Sequence, residues 1–302
     1  MPPMPDDPTR PCPVCGQPCP RPFPAEAVYR CSDCSHWFST FVPRINDLGA
    51  ASLDTDIALK VSLREARART YTASLDLLDD RRPLRGLRHL DVGCSIGQFL
   101  GISEGRGAEV VGIEPEHAFA EMARQRGHDV ATGYFPEALA DADPFDLISF
   151  MDVIGHIPTL RETGRDALGR LGENGYLMIK TPTADGLMFR SGRASRAFGL
   201  ELLWQRLWQR DFASPQLHFF TSRSMERFAQ EIGGVVVARR RFPALERNGL
   251  WQRLSATPSM ARWKAIFAYC LLCLLLPLIN ALPQDSLLVL IQARGRDLGD
   301  RG

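Results

Sequence analysis

One stretch constrains this chain more than any other: His89-Leu90-Asp91-Val92-Gly93-Cys94-Ser95-Ile96-Gly97-Gln98-Phe99-Leu100, a short apolar strand running into a glycine-punctuated turn and a helix start. Gly93 and Gly97 stand where a strand-to-helix turn needs backbone freedom, and where the lack of a Cβ lets a ligand approach the main chain. A second apolar strand, Glu109-Val110-Val111-Gly112-Ile113, ends in Glu114. That is the separation, roughly twenty residues, at which an acidic side chain meets the hydroxyls of a ribose bound on the first turn. Two motifs in register predict an α/β sheet with a ligand lying on the turn.

The third glycine of the dinucleotide pattern is missing, because Gln98 and Phe99 stand where G-x-G-x-x-G would continue. Pyrophosphate is thereby disfavoured, and a nucleoside cofactor without phosphates, S-adenosylmethionine, is favoured. Residues 90–97 resemble the first motif of class I methyltransferases, and Val111-Gly-Ile-Glu-Pro115 resembles their second. The resemblance implies a Rossmann-like α/β sheet with helices on both faces. It also implies cofactor contacts from Asp91, Gly93, Cys94, Gly97, Glu114 and Pro115, with the acid gripping the ribose.

Length and charge agree. A chain of 302 residues holds one α/β domain plus an appendage, and a formal net charge of +1 carries no nucleic-acid signature. No signal peptide opens the sequence, so the cytosol is the expected compartment. Residues 1–11, proline-rich and polar, read as a disordered tail.

Five of the eight cysteines fall between Cys12 and Cys34, and four of them form Cys12-x-x-Cys15 and Cys31-x-x-Cys34. Each pair presents two thiolates from one tight turn, so Cys12, Cys15, Cys31 and Cys34 predict a tetrahedral structural zinc site in a ribbon over 12–42. The alternative, a pair of disulfides, does not suit a reducing cytosol. Cys19 is a surplus thiol that could compete as a ligand. Trp37 and Phe38 would pack on a ribbon too small to bury a core without its metal. Similar ribbons begin many class I methyltransferases of bacterial biosynthetic gene sets, with the Cys-Pro-x-Cys-Gly and Arg-Cys-x-x-Cys starts found here.

A linker over 43–56 leads into the catalytic domain, 57–302. Residues 57–80 lack glycine and proline and carry apolar residues at helical spacing. In the family this helix closes over the cofactor, making Tyr71 a plausible contact; a core aromatic is its plainer role. A helix over 116–126 and a strand over 129–132 follow, and the resemblance puts Gly133-Tyr134-Phe135 beside the adenine. The apolar run 145–150 reads as a buried parallel strand delivering Met151, Asp152 and His156 to the carboxyl edge, where open α/β sheets bind ligands.

Met151-Asp-Val-Ile-Gly-His156-Ile-Pro158 resembles the post-strand motif of the ubiquinone-type O-methyltransferases, with Gly155 replacing the usual Glu. His156 could be a general base, or a capping residue. A helix over 159–171, a turn at 173–175 and a strand over 176–181 come next. The acceptor and lid region, 186–222, ends in Gln216-Leu217-His218-Phe219-Phe220-Thr221, which resembles the family's His-x-Phe-Thr segment. His218 is a second candidate base or substrate contact, with a packing role equally open, and a helix over 223–232 follows.

Between 186 and 264 stand fourteen basic and five acidic residues and four of the five tryptophans. Across 199–210, Leu200, Leu203, Trp204, Leu207 and Trp208 share one helical face opposite glutamines and arginines, the composition of an interfacial anchor or of a packed helix. The insertion 243–284 contains 265–282, eighteen uncharged residues after Arg262-Trp263-Lys264, at the threshold of a membrane span. The following run, 285–294, reads as the last strand of the sheet beside 235–240, which argues against a crossing. The segment therefore packs on the domain, dips into one leaflet or mediates dimerisation.

Taken together these features predict an S-adenosylmethionine-dependent O-methyltransferase with a zinc ribbon. Its expected acceptor is a small-molecule or lipid-linked one, a hydroxyl on a lipid-linked, isoprenoid or saccharide intermediate, met at the inner membrane face through 199–210 and 265–282. One alternative is an RNA methyltransferase docking through the ribbon, which the charge balance disfavours; another is a non-catalytic scaffold that kept the fold.

Overall fold

The computed structural model describes residues 9–21, 27–46, 64–139, 143–210, 212–243, 250–251 and 262–294. The start of the expected tail, most of the linker, the first turns of the 57–80 helix and much of the 243–284 insertion lie outside the described residues.

Two small sheets form the amino end. β1 (Thr9–Pro11) pairs antiparallel with β2 (Pro18–Pro20), so the ribbon starts before Cys12 and the last residues assigned to a disordered tail are its first strand. β3 (Val28–Arg30) pairs with β4 (Trp37–Ser39). α1 (Arg64–Asp79) leads to β5 (Arg88–Val92), α2 (Gln98–Glu104), β6 (Glu109–Glu114), α3 (His117–Arg124) and β7 (Asp129–Thr132). Then come β8 (Phe145–Met151), α4 (Leu160–Gly169), β9 (Leu171–Pro182), α5 (Leu187–Ala197), α6 (Glu201–Trp208) and β10 (His218–Phe219). The chain closes with α7 (Ser222–Glu231), β11 (Gly234–Phe242), α8 (Arg262–Asn280) and β12 (Ser286–Ala293).

The main sheet has seven strands in the order β11-β12-β9-β8-β5-β6-β7, with β12 alone running antiparallel to its neighbours. β5, β8 and the second half of β9 are buried on both faces because helices cover both sides, as in any parallel sheet built from crossovers. Strand order reverses at β5, flanked by β6 and β8, and the crevice for a ligand opens at that switch point. β9 begins five residues earlier than the expected strand; the expected turn at 173–175 lies inside it, with Asn174 absorbing the bend at φ 60°. α7 begins one residue before the expected position, because the Thr221 side chain and Ser224 form a reciprocal capping box.

The ribbon is not a separate body. β10 pairs with β4, placing a strand of the acceptor region in the ribbon's sheet. Cys12, Val14, Tyr29 and Phe38 belong to the same buried cluster as Val92, Ile148, Ile179 and Phe220 of the main domain.

The reading of 199–210 as an interfacial anchor is overturned. Trp204 and Trp208 are each 1 % exposed. Trp204 packs 5.9 Å from Trp37 of the ribbon and 5.5 Å from Phe189, and Trp208 packs 5.0 Å from Phe219, ring centre to ring centre. The apolar face of α6 is the core that joins lid to ribbon; only Leu200, outside the helix, stays in solvent. Trp204→Ala should therefore cost about 3–5 kcal/mol of stability, the usual loss for a fully buried aromatic. Chemical denaturation reads it, and a change under about 0.5 kcal/mol would return Trp204 to the surface.

Candidate functional site

The turn after β5 is built from left-handed residues. Gly93 has φ 73°, Ser95 52° and Gly97 77°. A Cβ on Gly93 would stand 2.6 Å from Val153 Cγ2, and one on Gly97 would stand 2.7 Å from His128 Cδ2, so both sites exclude side chains sterically as well as conformationally. The Gly93 and Cys94 amides donate to the Ile113 carbonyl at 2.8 and 3.0 Å, which welds the turn to the end of β6.

Glu114 completes that weld. Its Oε2 accepts from the Ser95 amide at 2.8 Å and its Oε1 from the Glu116 amide at 2.9 Å, with the residue buried. One carboxylate thus fixes two loops at the carboxyl edge, and Gly133 N–H adds a third contact, on the Glu114 carbonyl, at 3.1 Å. Asn46, at the end of the described linker, donates from Nδ2 to the Pro115 carbonyl at 3.0 Å.

Behind the turn runs a buried polar relay that periodicity alone does not reveal. Ser149 Oγ–H donates to Asp91 Oδ1 at 2.6 Å, so His89 Nε2–H donates to Ser149 Oγ, and His89 Nδ1 accepts from Ser103 Oγ, both at 2.8 Å. Burial pushes the Asp91 carboxyl up to about 7; the Ser149 hydrogen bond opposes this and the Glu114 charge adds to it. Burial likewise pulls His89 down to about 3, leaving it neutral.

On the other side of the crevice Asp152 holds φ 61°, and its carboxylate accepts two hydrogen bonds from Lys180 Nζ, at 2.8 and 2.6 Å. Lys180 is buried at the end of β9, opposite Met151. A lone lysine in the apolar run 177–181 was its signal in the sequence. Tyr71, tilted against Phe99 with ring centres 4.9 Å apart, feels the charges of Asp152 and Asp91; burial first, then those charges, raises its phenol well above the usual range, Arg67 opposing.

Asp91, Gly93, Gly97, Glu114, Pro115, Asp152 and Tyr71 therefore meet around one edge of the sheet. Cys94 and Met151 contribute differently from the expectation. The Cys94 side chain is buried among Leu100, Ala120 and Val130, and Met151 sits in the core with Leu75 and Phe99. Tyr134 stands on the loop after β7, 57 % exposed.

Of the two candidate histidines, His156 follows β8 directly and its Nδ1–H donates to the Pro215 carbonyl at 2.8 Å. His218 is buried, with Nε2–H donating to the Ile157 carbonyl at 3.0 Å and Nδ1 accepting from His36 Nε2 at 3.1 Å. Both its ring nitrogens are engaged, so its surroundings are those of a packing residue. The replacement of the motif's Glu by Gly155 has a local cause. A Cβ on Gly155 would lie 2.2 Å from Gln216 Nε2, so glycine at 155 makes room for the amide at 216.

In the ribbon the Sγ atoms of Cys12, Cys15, Cys31 and Cys34 lie within 4.8 Å of one another, with Cys12 to Cys34 at 3.6 Å and Cys15 to Cys31 at 3.5 Å. A tetrahedral site with bonds of about 2.3 Å sets sulfurs about 3.8 Å apart, so the four fit a divalent metal. Gly16 at φ 78° and Ser35 at φ 63° turn the two knuckles alike. The Cys34 hydrogen bond pulls Cys12 down to about 5 and burial pushes Cys15 up to about 11, the strain of crowded thiols that a cation relieves. Cys19 stays outside the four, donating to the Gln17 carbonyl at 3.3 Å, and all eight cysteines are free of disulfides.

A family model described as a methyltransferase domain matches residues 63–238. The ubiquinone biosynthesis O-methyltransferase of Hahella chejuensis is 36 % identical over 91 residues, 28 % of this chain and 38 % of that protein. Its counterpart in Rhodopseudomonas palustris is 28 % identical over 212 residues, covering 67 % of this chain and 78 % of that one. The match spans less than half the length of the first curated relatives. Among solved structures, magnesium protoporphyrin IX methyltransferase from Synechocystis, with SAH bound, aligns at TM-score 0.52 and 13 % identity over 81 % of this chain and 95 % of that one, a likeness of fold.

The position of Glu114 carries a measurable consequence. Glu114→Gln should weaken S-adenosylhomocysteine binding by roughly 1.5–3 kcal/mol through loss of charge-assisted hydrogen bonds. Calorimetry giving an unchanged dissociation constant would remove Glu114 from the site.

Proposed function

The chain belongs to the methyltransferase-domain family, and from that premise we propose that it is an S-adenosylmethionine-dependent methyltransferase acting on a hydroxyl of a lipid-linked, isoprenoid or saccharide intermediate. The observation that carries the reading is the Gly93–Gly97 turn welded to Glu114 at the switch point, with a buried Ser95 hydroxyl that has no partner among the described residues, a donor waiting on a ligand. When bound, the cofactor supplies a methyl group already activated on a sulfonium. Glu114 would hold its ribose hydroxyls, the two glycines would admit it to the main chain, and Tyr71 and Asp152 would line its reactive side. Methyl transfer from a sulfonium asks for alignment above all, with His156 available to take the hydroxyl proton. The four ribbon thiols would hold a structural zinc ion.

The acceptor class rests on α8. The helix has nineteen residues, is long and apolar enough to cross a membrane, and has only Ala265 and Leu276 buried. Phe267, Leu274 and Leu278 are 66, 77 and 64 % exposed. The insertion that carries it leaves and re-enters the sheet at one place, because Phe242 and Ser286 are paired neighbours at the carboxyl edge, and this supports a helix lying in one leaflet rather than across. Trp263 with Arg262 and Lys264 at its start suits a headgroup layer. The helix end is stitched to the lid, Leu187 N–H donating to the Pro283 carbonyl at 3.0 Å and Met188 N–H to Asp285 Oδ1 at 2.6 Å. An acceptor held in the inner leaflet would meet the site without leaving the lipid. Support for an RNA acceptor is weaker: Arg239 and Arg241 are paired with Glu226 and Asp185, and Arg227 with Glu231.

Two measurements test these statements. Incubation with methyl-labelled cofactor and lipid or total RNA extract from the source cell should place label in the lipid fraction; label in RNA alone would overturn the acceptor class. In flotation with phosphatidylglycerol vesicles the protein should float, less in high salt but still measurably, since apolar burial is not screened. The triple variant Phe267→Glu, Leu274→Glu, Leu278→Glu should stay at the bottom. A monodisperse dimer that never floats would assign the same surface to a second copy.

A further inference from the structure

The ribbon does more than cap the amino end. Its strand β4 continues past the β10 pairing: Ser39 N–H donates to the Leu217 carbonyl at 2.8 Å and Ser39 Oγ–H to the Gln216 carbonyl at 3.0 Å. Farther along, Arg44 N–H donates to the Ala213 carbonyl at 2.6 Å. Residues 36–44 therefore hold 213–219 along its length.

That held segment in turn holds the loop after β8. Leu217 N–H donates to the Gly155 carbonyl at 2.7 Å, His218 Nε2–H to the Ile157 carbonyl, and His156 Nδ1–H to the Pro215 carbonyl. Gln216, buried, fills the space over Gly155 and donates to the His218 carbonyl at 2.8 Å. Every bond in this set is 3.0 Å or shorter. A displacement of 213–218 moves Gly155, His156 and Ile157 with it.

His36 is the joint. It stands two residues after Cys34, is fully buried, and stacks on His218 with ring centres 5.3 Å apart. Because His218 Nε2 donates to a carbonyl, its Nδ1 is an acceptor, and His36 Nε2 must carry the proton between them. His36 Nδ1 is then a buried acceptor without a partner among the described residues. A fold keeps such an orphan where the surrounding geometry is over-determined, here by the knuckle on one side and Phe220, 4.7 Å away, on the other.

We propose that the four-thiol ribbon is the positioning element of the acceptor side of the site. The metal-held second knuckle orients His36, His36 orients His218, and the 213–218 segment sets both the ring orientation and the tautomer of His156. The Pro215 carbonyl keeps the proton on Nδ1, so Nε2 carries the lone pair, the form a general base needs. His36 and His218 are positioning residues in this scheme and touch no reactant. Only the phrase "acceptor side" rests on the methyltransferase reading; the coupling itself does not.

The test uses the full chain and two readouts that do not require an identified acceptor. Ring nitrogen-15 spectra report the His156 tautomer, and amide hydrogen exchange reports 154–157 and 213–219 against β5 and β6. Removing the metal with a chelator should mix the His156 tautomers and speed exchange in both segments at least tenfold, while β5 and β6 stay protected and S-adenosylhomocysteine binds within threefold of the untreated value. His36→Phe, which keeps a ring and loses the donor, should produce the same His156 change with the metal retained. His36→Gln, whose amide can donate in place of Nε2, should restore the original spectrum. An unchanged His156 signal after both chelation and His36→Phe would overturn the proposal, as would simultaneous loss of protection in β5 and β6, which would make the ribbon a general support of the fold. Failure of the untreated protein to bind S-adenosylhomocysteine would overturn the cofactor reading alone, and the ring signal would still decide the coupling.

Discussion

The carboxylate of Glu114 is the constraint from which the ligand edge of the sheet takes its shape. Two backbone amides, from Ser95 and Glu116, converge on it, so the turn after β5 and the loop after β6 are fixed by one buried charge rather than by packing of side chains. A buried carboxylate stays ionised only where donors replace its water, and here the donors are main-chain groups that the glycine turn leaves exposed to it. The neighbouring Asp91 has Ser149 as its one side-chain donor among the described residues, and burial drives its carboxyl up to about 7. Two acids close to one turn thereby meet different surroundings, Glu114 held by two backbone amides and Asp91 closed into the relay behind it.

A domain the size of the ribbon does not bury enough surface to stand alone. The fold meets this in two ways at once. The four thiols come together as one cluster, and the aromatic side chains that cannot be covered within the ribbon are covered by the main domain. Trp37 reaches Phe189 and Trp204, and Tyr29 stacks on Phe38 within the strand pair that flanks the second knuckle. The lid helices are in consequence packed against the ribbon, not against the sheet alone. This is why a strand of the acceptor region, β10, belongs to the ribbon's sheet and not to the seven-stranded one.

Two apolar helices of similar composition meet opposite fates. α6 turns its tryptophans into the seam between lid and ribbon, whereas α8 leaves Phe267, Leu274 and Leu278 in solvent. The difference lies in what stands opposite. α6 follows a tight turn from α5 and faces Trp37, Phe41 and Phe219, a ready aromatic socket. α8 leaves the sheet between β11 and β12, beyond the end of the strand ladder, where the protein offers little to cover it. An uncovered surface of that size is costly in water, and that cost is the physical basis for reading it as a surface that meets something apolar.

Sequence alone determined the features whose cause is local or covalent. The glycine turn and Glu114 were legible because left-handed backbone and a fixed strand spacing admit few residues; the Cys-x-x-Cys knuckles were legible because two thiolates from one turn can serve few other purposes; the buried strands were legible from their largely apolar runs. Most helix bounds fell within a few residues, with caps such as Thr221 setting the rest. What only the tertiary structure decided was what each face meets. Hydrophobic spacing says that Trp204 and Trp208 share a face, but not whether protein or lipid covers it. A histidine in a motif gives no sign that His218 is closed by His36 across 182 residues of chain, nor could Gly155 announce that Gln216 fills its space. Lys180 against Asp152, and His89 between Ser103 and Ser149, are likewise pairings of strand ends and helices distant in sequence. Burial and hydrogen bonding are set by the partner as much as by the residue, and the partner is supplied only when the chain has folded.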